Sequence, residues 1–152
     1  MMKKIYLAGF DVFAEDAVDR GNRMKELCSK YGYEGLYPLD NECSSAQEIF
    51  NANTEMIRSC DIIAANVSSF RGKEPDSGTA FETGFAYALG KKIYCYLSDC
   101  RTLREKYGTK DSNGYSYEDF DLPVNLMISI PSVIVCGDLE DCIKKIREDD
   151  LK

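Results

Sequence analysis

The chain has 152 residues, enough for one substantial core and too few for two ordinary ones, so a single domain over residues 1–152 is expected. Its 26 acidic residues against 19 basic ones leave a net charge of -7, which argues against a nucleic-acid backbone or an anionic membrane as the main partner and favours a small ligand of little charge. Histidine is absent, which removes every Ser-His or Cys-His catalytic pair and most catalytic zinc sites and leaves chemistry to carboxylates, tyrosines or a thiolate.

The start, MMKKIYLAGF, is too short and strand-like for a signal peptide, and no apolar run approaches the roughly 20 residues that span a bilayer, so a cytoplasmic protein is expected. Lys4 to Ala8 reads as a buried strand. Tyr6 lies within it between Ile5 and Leu7, and in a sheet covered on both faces its hydroxyl needs a partner. The following turn, AGFDVF, lacks the glycines of a dinucleotide site, while Phe10 and Phe13 within it have two readings, stacking on a base or, for at least one of them, packing under the loop.

A helix-period segment follows over 15–31, then a short strand, Gly35 to Tyr37, that Pro38 ends. The next helix, 45–60, opens with a capping box of Ser45 and Glu48. Its apolar stripe carries Ala46, Ile49, Phe50, Met56, Ile57 and Cys60. Asn53 falls inside that stripe, and an inward amide must be hydrogen-bonded to something.

A third strand, Asp61 to Val67, leads into the loop SSFRGKEPD, which has neither the G-x-x-x-x-G-K-[ST] nor the G-x-G-x-x-G spacing. Neither a nucleotide cofactor nor a metal is expected. The helix over 77–89 is capped by Asp76 and stopped at Gly90, and its body is apolar or small apart from Glu82. Helical spacing puts Glu82 on a stripe with Gly78, Thr79, Phe85, Ala86 and Leu89, so a carboxylate faces inward.

Burying an unpartnered carboxylate costs several kcal/mol, so an inward Glu82 is paired with a base beneath the sheet, protonated, or placed for function near the strands' carboxyl ends. No basic residue lies nearby in sequence, which favours function, and Tyr6 is a candidate partner. Asp76 is a helix cap that also has a functional alternative. Two carboxylates in one pocket have their pKa values pushed apart, which separates an acid from a nucleophile, as glycosyl transfer requires.

The strand Lys92 to Leu97 is followed by residues 98–124, where Tyr, Asp, Gly, Lys and Arg crowd around a short helix near Thr102 to Tyr107. So long a connection is expected to be a lid or an interface. A last strand, Ser132 to Cys136, and a helix over 138–149 complete an alternation that predicts a flavodoxin-like, doubly wound α/β fold, with five parallel strands and helices on both faces. The seven cysteines (28, 43, 60, 95, 100, 136 and 142) are odd in number and include no C-x-x-C, which suggests neither a disulfide framework nor a zinc knuckle, and most are expected reduced.

Taken in order, KKIYLAG, YPLDNE, N-x-x-x-I-x-x-C-D, EPDSGTAFETGFAYAL and LPVNLM cover most of the chain, and the combination resembles the nucleoside 2-deoxyribosyltransferase family. The resemblance implies a double displacement in which Glu82 attacks the anomeric carbon, a deoxyribosyl-enzyme forms, and a second nucleobase reverses the step. It implies that Tyr6 orients Glu82, that Asp76 assists proton transfer at the base, and that Asn125 and Met127 close over the 5'-hydroxyl end of the sugar. In that family the NLM segment comes from a neighbouring subunit, so a homo-oligomer with shared sites is implied. Gly9, Phe10 and Phe13 of the first turn, with Asn53 and Glu42, complete the implied substrate-binding set. Asn53 stands where some members carry aspartate and Glu42 where some carry glutamine, so base preference is expected to differ.

Two other functions compete. A 2'-deoxynucleoside 5'-monophosphate N-glycosidase would put water in place of the second base and needs a phosphate site, for which Ser68, Ser69 and Arg71 are candidates. A flavodoxin-like binding module is the non-enzymatic alternative, against which stands the lack of a flavin phosphate loop.

Overall fold

In a computed structural model that describes residues 1–152, the apolar runs form five strands: β1 Lys4–Ala8, β2 Glu34–Leu36, β3 Ile62–Asn66, β4 Lys92–Leu97 and β5 Val133–Cys136. All neighbouring strands are parallel, in the order 2-1-3-4-5. Side chains alternate across the sheet, and this period of two builds two cores. Ile5, Leu7, Ile62, Ala64, Tyr94 and Tyr96 face one side. Tyr6, Ala8, Ile63, Ala65, Ile93, Cys95 and Leu97 face the other.

Helices α1 (Ala17–Lys30) and α6 (Leu139–Asp150) supply Cys28, Leu139, Cys142, Ile143 and Ile146 to the first core. Helices α2 (Ala46–Ser59) and α3 (Ser77–Ala88) supply Ile57 and Ala86 to the second. The expected flavodoxin-like sheet with helices on both faces is the one observed. Strand and helix ends differ from expectation by one or two residues, because capping geometry rather than hydrophobic period sets them. At α2 the Ser45 hydroxyl accepts from the Glu48 amide and the Glu48 carboxylate from the Ser45 amide, closing the box read from the sequence.

Two short elements were not anticipated. Residues Phe10–Phe13 form a 3-10 turn, and Leu126–Ser129 form α5, which follows α4 (Leu103–Tyr107) at the far end of the long connection. Single turns are too brief to show a hydrophobic period.

Five of the seven cysteines are free, in line with the expectation that most are reduced, whereas Cys100 and Cys136, with Cα atoms 5.8 Å apart, form a disulfide that their spacing does not suggest. The two are 36 residues apart and show no local motif, but β4 and β5 are adjacent and Cys136 pairs with Leu97, three residues before Cys100. Pairing between neighbouring strands brings together thiols whose sequence spacing gives no hint of it. No helix is long and apolar enough to cross a membrane.

Candidate active site

Because β1 and β2 end on the same edge of a parallel sheet, the loops that leave them converge with α2 and the start of α3. They enclose a cavity of about 510 Å³. Its wall is mostly apolar: Val12 and Phe13 after β1, Pro38 and Leu39 after β2, Ile49, Phe50 and Ile57 of α2, and Phe81 of α3. The polar groups that reach it are Asn41, Asn53, Thr54, Asp76 and Glu82. A greasy slot with a few placed polar groups is the form of a small-molecule site.

Gly9 brings the chain into this cavity. Its φ is +153°, and a Cβ there would lie 2.9 Å from the Cβ of Asn66, so only glycine lets β1 leave the sheet so close to the end of β3.

Tyr6 points to the α2/α3 face of β1, where its hydroxyl donates to Oε2 of Glu82. Glu82 has no basic partner, which removes the ion-pair explanation of its inward position. Burial lifts Glu82 from the ordinary 4.5 to about 7; the Tyr6 hydrogen bond opposes the rise and the Asp76 carboxylate adds to it. Tyr6 in turn is pushed far above the usual tyrosine range by burial and then by the Glu82 charge, so it remains a donor. A carboxylate poised near neutrality beside a fixed donor can act as a base or a nucleophile.

Asp76 caps α3 and also lines the cavity. Its Oδ2 accepts from the amide and the hydroxyl of Thr79, both at 3.0 Å, while Oδ1 accepts nothing from the protein. The cap leaves one oxygen for another partner.

Asn53 reaches the cavity from α2, and its buried Oδ1 has no partner within the protein. A buried acceptor that lines a cavity and has no partner in the protein is open to a donor from whatever fills the cavity.

The structure does not bring every expected residue to this cavity. Phe13 lines it, but Phe10 does not and instead stacks on Phe70 with centroids 5.0 Å apart. Glu42 is exposed and outside the lining, while its neighbours Asn41 and Cys43 are inside. Asn125 and Met127 are exposed at the start of α5, and neither lines the cavity of its own chain. Phe81, 53% exposed at the mouth and stacked on Phe85, was missed. It sits one residue from Glu82 in an apolar helix, and a large side chain there was the available signal.

The family model for nucleoside 2-deoxyribosyltransferase matches residues 5–127. Among solved structures, a 2-deoxyribosyltransferase from Leishmania mexicana is 41% identical, with a TM-score of 0.88 over 96% of this chain and 97% of its own. A CMP N-glycosidase from Clostridium botulinum is 21% identical, with a TM-score of 0.53 over 99% of this chain and 100% of its own, a likeness of fold alone. An uncharacterized protein of Schizosaccharomyces pombe is 29% identical over 112 residues, 67% of this chain, and the chain spans about half (53%) of that relative's length.

Proposed function

This chain belongs to the nucleoside 2-deoxyribosyltransferase family, a family of pentosyltransferases, and from that premise we propose that it exchanges the nucleobase of 2'-deoxynucleosides through a deoxyribosyl group held on Glu82. The observation that carries the proposal is the Glu82 carboxylate: half-buried at an apolar cavity, free of any cation, bonded to Tyr6 and raised to about 7.

In the first half-reaction a Glu82 oxygen bonds to the anomeric carbon as the bond from that carbon to the base nitrogen breaks. The electron pair leaves with the base, and a proton relayed through Asp76, whose Oδ1 is unengaged within the protein, neutralises it. In the second half a different base attacks the same carbon, gives its proton to Asp76 and frees Glu82. Two displacements on one carbon return the original configuration. Tyr6 orients Glu82 and holds it ionised until attack. The base lies against Phe13 and Phe81, where Asn53 meets a donor on its edge.

Asn125 and Met127 complete a neighbouring copy's site at the sugar's 5'-hydroxyl, which accounts for their exposure and their distance from their own cavity. The active form is then a homo-oligomer, working in the cytoplasm in nucleoside salvage. The phosphate site a monophosphate hydrolase needs has little support. Arg71 lies over the rings of Phe70 and Phe13, at 4.5 and 4.8 Å, and outside the cavity lining, while the Ser69 hydroxyl is bonded to Lys73 and Tyr107.

The test is to incubate the protein with a 2'-deoxynucleoside and a different free base. The exchanged deoxynucleoside is the expected product; free deoxyribose without exchange would overturn the proposal.

A further inference from the structure

The connection between β4 and β5 is tied down at both ends of its middle section. Lys73, in the loop before α3, donates to the Tyr117 hydroxyl at 2.8 Å and lies 5.2 and 5.3 Å from the ring centroids of Tyr107 and Tyr117. Arg104 of α4 donates to the Tyr117 carbonyl at 3.2 Å, and Lys106 to the Pro123 carbonyl at 2.6 Å. Between these anchors stands Glu118, which pairs with no lysine or arginine.

Its carboxylate is spent on the segment that follows. Oε1 accepts from the Leu126 amide at 2.8 Å, and Oε2 accepts from Nδ2 of Asn125 at 3.0 Å. The Asn125 Oδ1 accepts from the Met127 amide at 2.9 Å. The Asn125 side chain is therefore gripped at both ends of its amide, although it is exposed, and an exposed asparagine otherwise samples several rotamers. One Nδ2 hydrogen and one Oδ1 lone pair remain without a partner in the chain.

We propose that Glu118 is a positioning residue: it fixes the Asn125 amide in the orientation that recognises the sugar's 5'-hydroxyl. This rests on the reading that Asn125 closes over that hydroxyl. The middle of the long connection is then a brace, anchored through Tyr117 and Lys73 to the loop that carries Asp76. A charge-assisted bond to a preset amide retains a fixed hydrogen-bonding geometry that a free side chain would have to find on each binding event.

The experiment compares kcat/KM for a 2'-deoxynucleoside that the wild-type protein accepts with that for its 5'-deoxy analogue, in the wild type, Glu118→Gln and Asn125→Ala. In Glu118→Gln the side-chain carbonyl still accepts from Leu126, but an amide NH2 faces Asn125 Nδ2, so only the grip on Asn125 is released and the fold is retained. Both variants are expected to lose about tenfold or more of the preference for the 5'-hydroxylated substrate, the loss of kcat/KM falling mainly on that substrate. Preference lost in Asn125→Ala but kept in Glu118→Gln would overturn the positioning role alone. Equal losses on both substrates in Glu118→Gln would mark a structural role and overturn it too. A preference unchanged in Asn125→Ala would overturn the reading of Asn125 itself, and the inference with it.

Discussion

Tyr6 of β1 donates its hydroxyl hydrogen to Glu82 of α3, so the one charged side chain in the body of that helix is held by a phenol from the sheet beneath it. The two residues are 76 apart in sequence, and the parallel pairing of β1 with β3 brings them together. Removing this donor takes away the one influence that lowers the Glu82 pKa, leaving burial and Asp76, which both raise it. Tyr6→Phe is therefore expected to move the acidic limb of the kcat/KM profile upward from about 7. The loss of a hydrogen bond to a charged group also lowers kcat about ten- to a hundredfold. Rates measured across pH for both proteins check both effects.

Glu82→Gln removes the proposed nucleophile and should abolish exchange, yet it should stabilise the fold at alkaline pH. The folded-state pKa, about 7, lies above the ordinary 4.5, so the folded protein holds this proton more tightly than the unfolded chain. Stability from this group is present at low pH and falls as pH rises from about 4.5 through 7. The neutral amide escapes that loss, a difference of at most about 3 kcal/mol at pH 8. Denaturant unfolding of the two proteins at pH 5 and pH 8 should show the variant gaining only at the higher pH.

Asn53→Ala deletes an acceptor that has no partner inside the protein. The variant is expected to keep its Tm within about 2 °C or raise it, because no internal bond is lost. If a base supplies the missing donor, KM for the base rises while the fold is unaffected. Thermal melting and steady-state kinetics on one preparation separate the two effects.

Glu82→Ala and Asn125→Ala should complement each other. Each variant alone is poorly active, but an equal mixture allowed to reassemble contains sites with an intact Glu82 from one subunit and an intact Asn125 from its neighbour. Random association gives about one quarter of the sites this pairing, and about that share of wild-type exchange. Activity no higher than that of the separate variants would place both residues in one chain's site.

Much of the scaffold was legible because its signals are local. The Ser45 box, the Asp76 cap and the unbroken apolar runs of β1, β3 and β4 each depend on neighbours within a few residues. Glu82 and Asn53 were legible for the same reason: a polar side chain on an apolar helical stripe is conspicuous in one dimension. The displacement of Phe10 onto Phe70, the Cys100–Cys136 bond and the grip of Glu118 on Asn125 all join segments through the third dimension, and nothing in their local sequence reports it. Glu42 marks a different limit. The family pattern puts it among the base contacts, while its side chain is exposed and its neighbours Asn41 and Cys43 line the cavity.

The central claim is that Glu82 carries the sugar between two bases, and mass measurement of the intact protein tests it most directly. Mixed with a 2'-deoxynucleoside and no acceptor base, the protein should gain one deoxyribosyl group, which peptide mapping places on Glu82. Adding a second base should discharge it as the new deoxynucleoside. Turnover with Glu82 unmodified, or an adduct that discharges only as free deoxyribose, would contradict the claim.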